Sequence, residues 1–223
     1  MRDRPVDLPR LRQPLVADAI AAKQGDYCGV ALLPPAVGDA ELAHLDALGF
    51  RGVRFNFMRH LGKAAAIEEA IGLANRLAGL GWHLQVHFEA ELIDELAPWL
   101  KRSAVPVVID HMGRIDAALG IDQPAFRSLL DLMRDPHFRV KVSGSERISR
   151  KAPPWEDAIP FARKLVAEFG DRCFWGSDWP HPNLAAVPDD GMLVDLLAEI
   201  APSEAQRRAL LADNPKRFYG FGT

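Results

Sequence analysis

The chain has 223 residues, 48% of them hydrophobic, which is enough for one domain with a sizeable core. A net charge of −3, from 27 Lys and Arg against 30 Asp and Glu, leaves no electrostatic case for nucleic acid or an anionic membrane as partner. No apolar run reaches the roughly 18 residues of a membrane span, and Met1-Arg2-Asp3-Arg4-Pro5 lacks the apolar core of a secretory signal. Cys28 and Cys173 lie far apart amid apolar neighbours, so they read as reduced core thiols of a cytoplasmic protein.

Taken in order, the elements alternate strand and helix. Cys28–Leu33 predicts a strand closed by Pro34-Pro35, and Asp39–Leu48 a helix stopped by Gly49. Gly52–Phe57 is the next strand, and Ala64–Leu80 a helix with Ile67, Ile71, Ala74 and Ala78 at helical spacing. His83–Phe88 is a strand, Glu91–Lys101 a helix, Val105–Asp110 a strand and Pro124–Met133 a helix. Phe138–Val142 is a strand, Trp155–Phe169 a helix and Cys173–Ser177 the last strand, before helices near Met192–Ile200 and Ser203–Leu211. Strand–helix units recurring every ~30 residues are the rhythm of parallel strands covered by helices. Nothing resembling a linker interrupts residues 1–223, which predicts a single domain.

Two strands alternate apolar and polar faces. Val53, Phe55 and Phe57 oppose Arg54 and Asn56, and Leu84, Val86 and Phe88 oppose His83, Gln85 and His87. Such strands suit a (β/α)8-type TIM barrel, with one face on the helices and the other on a functional lumen. A flavodoxin-like open sheet is the alternative, but no glycine-rich phosphate loop supports it. The run Phe174-Trp175-Gly176-Ser177-Asp178-Trp179-Pro180-His181-Pro182-Asn183 delivers a carboxylate at a strand end and then breaks on two prolines. Side chains at C-terminal strand ends line barrel active sites. The plainer reading is a helix-capping aspartate.

This run resembles the last barrel strand of the amidohydrolase-related superfamily, and Trp-Gly-Ser-Asp-Trp-Pro-His-Pro its lactonase branch. The resemblance extends from about Tyr27 to Phe221, through Arg51–Phe57, Val86–Ala90, Ile109–Arg114 and Asp213–Tyr219. It implies a barrel whose first strand ends in His-x-His, followed by a second unit. This sequence contains no His-x-His and about six units, so the expectation is an incomplete barrel. Its edges near Val30 and Trp175 would be open and its lumen exposed to water. Residues 1–223 alone are then expected to be inactive and to self-associate.

The chemistry follows from the same positions. Opening a lactone with water needs a base and a positive centre for the developing oxyanion. Asp178 is the candidate base, and the resemblance puts His87 and His111 at the strand ends where amidohydrolases place histidines around a divalent ion. His87, His111 and Asp178 would form a partial shell for a single divalent metal, zinc by ligand type, or no metal would be used. In the pyrone-hydrolase relatives, which work without metal, Tyr stands where this chain has His87 and Arg near His60. The structural alternative for His87 is hydrogen bonding to Gln85 or Glu89 on its own face.

Arg54, Arg114 and Arg147 are candidate carboxylate forks, an assignment the resemblance shares. Asn56 and His181 complete the candidate substrate contacts, His181 alternatively orienting Asp178. No Gly-x-Ser-x-Gly elbow is present, and neither cysteine sits where a nucleophile would. The leading expectation is a hydrolase of a small carboxylated lactone, of the pyrone-dicarboxylate or muconolactone kind, with homo-oligomerisation open. A decarboxylase using the same positions and a non-catalytic assembly or binding subunit are the alternatives.

Overall fold

The structure is a computed structural model that describes residues 8–58, 66–184 and 186–221. After helix α1 (Leu8–Ala22), the chain alternates β1 (Gly29–Ala31), α2 (Asp39–Ala47), β2 (Phe50–Phe57), α3 (Ile67–Leu77), β3 (His83–Phe88) and α4 (Ile93–Leu100). It continues through β4 (Val107–Ile109), α5 (Pro124–Met133), β5 (Phe138–Lys141), the short α6 (Ser145–Ile148), α7 (Ile159–Phe169) and β6 (Cys173–Phe174). Four short helices end it: α8 (Asp190–Asp195), α9 (Leu197–Ile200), α10 (Glu204–Arg208) and α11 (Asn214–Tyr219).

All five ladders are parallel, and the strand order is β1-β2-β3-β4-β5-β6. Each strand therefore neighbours its sequence successor, with helix between. That winding is a barrel's; a flavodoxin-like sheet would permute the order about a switch point. Among the described residues, β1 and β6 have no ladder between them.

The helices form where sequence chemistry allows. Pro124 opens α5 at a position where its missing N–H is not needed. Gly49, at φ +91°, takes the left-handed conformation that ends α2 and turns the chain into β2. A Ser203–Gln206 capping box starts α10. The packed faces bury Ile67, Ile71, Leu73, Ala74 and Leu77 of α3 against the sheet, and Phe126 of α5 meets Phe161 of α7 at 4.9 Å between ring centroids. Each fully buried large apolar side chain contributes roughly 1.5–3 kcal/mol. Asn214 donates from Nδ2 to the carbonyls of Gly170 and Cys173, which ties α11 to the foot of β6.

Two differences from the sequence reading have physical causes. Helix α1 carries Pro14 inside it, and an internal proline normally marks a helix end. It is held by tertiary contacts instead: Gln13 donates to the Leu32 carbonyl, and Val16 and Ala17 pack on the core. The last strand is two residues long rather than five, because the chain leaves the ladder after Phe174 on its way to Asp178. Residues 64 and 65, at the start of the predicted third helix, lie outside the described residues, as does His60. No described helix is long and apolar enough to cross a membrane.

Candidate active site

The polar faces of the strands are not solvated. All six residues of β3 are buried, so His83, Gln85 and His87 look into a filled lumen. Its centre is Asp110, just past β4 and 1% exposed. Arg54 Nε donates to Asp110 Oδ2 at 2.7 Å and Gln85 Nε2 to the same oxygen at 2.9 Å; Lys141 Nζ lies 3.0 Å from Oδ1. Burial alone would raise the Asp110 pKa, but Lys141 and Arg54 prevail and hold the carboxyl well below the usual range.

Above this network, at the C-terminal ends of the strands, the backbone is unusual. Eight described non-glycine residues have positive φ, and six of them are His111, Met112, Arg114, Asp178, His181 and Asn183. Left-handed backbone at such residues costs about 1–3 kcal/mol each and concentrates where function demands it. The turn through residues 111–114 brings His111 to Asp178, with Nε2 3.5 Å from Asp178 Oδ1. The other oxygen, Oδ2, accepts from Arg147 Nε, whose guanidinium also donates to the Pro182 carbonyl at 3.2 Å. His111 Nδ1 lies 3.3 Å from Ser143 Oγ. Burial drives the His111 pKa well below its ordinary value, so the ring is neutral.

Arg114 is half-buried and makes no hydrogen bond or ion pair with a described residue. Burial and then the charge of Arg147 lower its pKa, while Glu146, Asp178 and Glu89 act the other way. Glu146 has a side chain only 3% exposed, 3.7 Å from Arg147 Nε; neither carboxylate oxygen has a described hydrogen-bond partner, and burial raises its pKa.

A cavity of about 510 Å³ joins the two levels. Arg54, Gln85, Asp110, Lys141, His111, Ser143 and Asp178 all line it. Gln13 and Val16 of α1 line it too, with Val30 and Leu32 beside β1 and Phe174 and Trp175 at the end of β6. Helix α1, which the sequence reading did not contain, therefore contributes to the cavity wall.

The predicted site residues divide accordingly. Asp178, His111 and Arg147 are brought together, with Arg114 in electrostatic reach. Arg54 is lower in the lumen, its Nε committed to Asp110. The His181 ring turns to Asp190, with Nε2 3.0 Å from Oδ1, while its backbone N–H donates to the Asp178 carbonyl. Asn56 and His87 pair across β2 and β3; Asn56 Oδ1 and both His87 ring nitrogens lack described hydrogen-bond partners, so neither Gln85 nor Glu89 bonds the ring. Burial and Arg54 lower the His87 pKa to about 3.

The His87 and His111 rings sit edge to face at 5.4 Å. No three His, Cys, Asp or Glu side chains among the described residues are placed to hold an ion. Asp178 is also turned toward a guanidinium, which would oppose a cation there. The described donor set does not fit a metal. The cysteines are free, with burial pushing the Cys28 pKa up to about 11 and that of Cys173 higher still. Gln85 lies on the strand face the sequence assigns to the lumen, whereas Asp110, Lys141 and Ser143 were not singled out as lumen residues. The signal was present in the period-two alternation of Arg139, Lys141 and Ser143, which places them on one face of β5 and its extension.

Comparison with known proteins agrees with this architecture. The amidohydrolase family model (Amidohydro_2) matches residues 9–221. The chain is 43% identical to 2-pyrone-4,6-dicarboxylate hydrolase of Comamonas testosteroni over 215 residues, covering 92% of this chain and 70% of the relative. It is 39% identical to 4-sulfomuconolactone hydrolase of Hydrogenophaga intermedia, covering 91% of this chain and 68% of that one. A crystal structure from Acinetobacter baumannii, described as a 2-pyrone-4,6-dicarboxylic acid hydrolase with citric acid bound, superposes with a TM-score of 0.83 at 27% identity, covering 98% of this chain and 82% of that one. With its strands wound in barrel order and the family model spanning nearly its whole length, the chain belongs to the amidohydrolase family.

Proposed function

We propose that this chain hydrolyses a small carboxylated lactone, with Asp178 as general base. The observation that carries the reading is the setting of Asp178: it lines the cavity, Arg147 fixes one oxygen, and the other faces neutral His111 at 3.5 Å. A water attacking the lactone carbonyl gives its proton to Asp178 Oδ1 as the new C–O bond forms. The ring C–O bond then breaks, and the proton passes from Asp178 to the leaving oxygen. His111 orients the water against Asp178.

Charge supports an acidic substrate. Arg54 and Lys141 are balanced by Asp110 and Arg147 pairs with Asp178, while Arg114, whose charge Glu146, Asp178 and Glu89 favour, has no described hydrogen-bond partner. A guanidinium beside the base with no described hydrogen-bond partner is suited to a substrate carboxylate. The relatives' names denote acidic lactones, and the citrate-bound structure holds a tricarboxylate, which supports the same class.

The test is Asp178→Asn, nearly isosteric but unable to take the proton, assayed with the 223-residue chain on a panel of carboxylated lactones. The expected loss is about 10²-fold or more, in kcat rather than KM. Retention of more than about a tenth of wild-type kcat would remove Asp178 from the base role.

A further inference from the structure

His111 presents a choice that its surroundings resolve. A neutral imidazole carries one N–H, on Nδ1 or on Nε2. Asp178 Oδ1 stands 3.5 Å from Nε2, and a carboxylate can only accept. With the proton on Nδ1, the bare Nε2 lone pair would face that anion. With the proton on Nε2, the contact is attractive and Nδ1 becomes the acceptor. It then needs a donor, and the described hydrogen-bond partner of Nδ1 is Ser143 Oγ at 3.3 Å. A hydroxyl can serve because its hydrogen rotates to suit.

The cradle around this contact is tight. Ser143 is 3% exposed and lines the same cavity as His111 and Asp178. Gly144, at φ +80°, follows it, and a Cβ there would lie 2.8 Å from His111 Nδ1 and 2.9 Å from its Cβ. The imidazole therefore lies flush on the Gly144 backbone, where a side chain would push it away.

We propose that Ser143 is a positioning residue: by donating to Nδ1 it locks His111 in the Nε2–H tautomer and aims that N–H at Asp178 and the cavity. The function this serves deepens the role given to His111 above and rests on that reading; the tautomer does not. Ser143 Oγ–H donates, His111 Nδ1 accepts, and His111 Nε2–H is left for Asp178 Oδ1 or for a water beside it. No covalent step at Ser143 is involved.

The experiment is long-range proton–nitrogen correlation NMR on the uniformly labelled 223-residue chain, in which a protonated ring nitrogen resonates far from a bare one. His111→Asn identifies the His111 signals. In the wild type, His111 should show a protonated Nε2 and a bare Nδ1; a protonated Nδ1 would overturn the proposal without recourse to any variant. In Ser143→Ala the signals should move toward an average of the two tautomers, and in Ser143→Thr, which keeps the hydroxyl, they should stay near wild type. An Ala variant with the wild-type signature would also overturn it.

The kinetic arm reads the consequence. Ser143→Ala should lower kcat about tenfold, the factor one lost neutral hydrogen bond corresponds to, with KM held and Ser143→Thr largely restored. An equal loss in both variants would contradict a positioning role. If no lactone is turned over but the NMR result stands, the proposed function fails and the Ser143 assignment survives; the reverse pattern separates them the other way.

Discussion

Asp110 and Asp178 are both carboxylates beside an arginine in the same cavity, yet their conditions differ. Asp110 follows an apolar strand, has a side chain 1% exposed, and is met by Arg54, Gln85 and Lys141. Asp178 sits in left-handed backbone at φ +65°, has a side chain 22% exposed, and meets Arg147 and, at 3.5 Å, His111. Buried polar groups are normally satisfied. Asp110 gathers Arg54, Gln85 and Lys141 and so ties β2, β3 and β5 together, although Gln85 Oε1 and His83 Nε2 beside it lack described hydrogen-bond partners; the level at the strand ends is the more exposed and stays open to a ligand. Strained backbone follows the same division, gathering at residues 111–114 and 178–183.

The comparison can be broken first by acid. Burial lowers the His83 pKa to about 4 and that of His87 to about 3, and keeps His111 neutral. In the unfolded chain each histidine titrates near ~6.5. Between about pH 6.5 and 4 the unfolded chain therefore binds protons the folded lumen refuses, and stability falls as pH drops through that window. The slope is up to about 1.4 kcal/mol per pH unit for each histidine. Asp110 acts lower: its depressed pKa gives stability complete above the unfolded value of ~3.9 and lost as pH falls below it. Urea midpoints that stay flat from pH 7 to 4 would show that the lumen admits water and protons freely.

The next largest effect belongs to Asp110. Asp110→Asn leaves Arg54 and Lys141 without their anion, and breaking a buried pair costs about 3–5 kcal/mol. The lower end applies here, since both cations are 27% exposed and water screens part of the loss. Urea denaturation measures it; a change under about 1 kcal/mol would mean the network is incidental to folding.

Arg114 sharpens the contrast from the other side. Arg114→Met removes a half-buried cation with no described ion-pair partner, so stability should hold or rise. Against a dicarboxylate lactone, kcat/KM should fall by about one to two decades, the equivalent of a charge-assisted hydrogen bond, and fall much less for the monomethyl ester. Equal losses for both substrates would show that Arg114 does not read the carboxylate.

Much of the sheet was legible because its signals are local. His83–Phe88 and Pro124–Met133 match the structure residue for residue, one by strict alternation and the other by an N-terminal proline ahead of an apolar stripe. Helix α1 was not legible, because Pro14 contradicts it locally and contacts to Leu32 and the core decide it. In the site, Asp178 and His111 stood out through the loops that follow their strands. The commitment of Arg54 to Asp110 did not, since the two are 56 residues apart and only the register of β2, β3 and β4 brings them together. Ser143 was hidden for the same reason: a serine at a strand end acquires meaning only when a histidine from the neighbouring strand's loop lands on it.

The most direct test of this division measures Asp110→Asn and Asp178→Asn side by side, each for urea-denaturation stability and for kcat on a carboxylated lactone. The division predicts that Asp110→Asn loses about 3 kcal/mol or more of stability, whereas Asp178→Asn, with Glu146 still beside Arg147, loses less stability and loses kcat about 10²-fold or more. A stable Asp110 variant together with an unfolded or fully active Asp178 variant would contradict it.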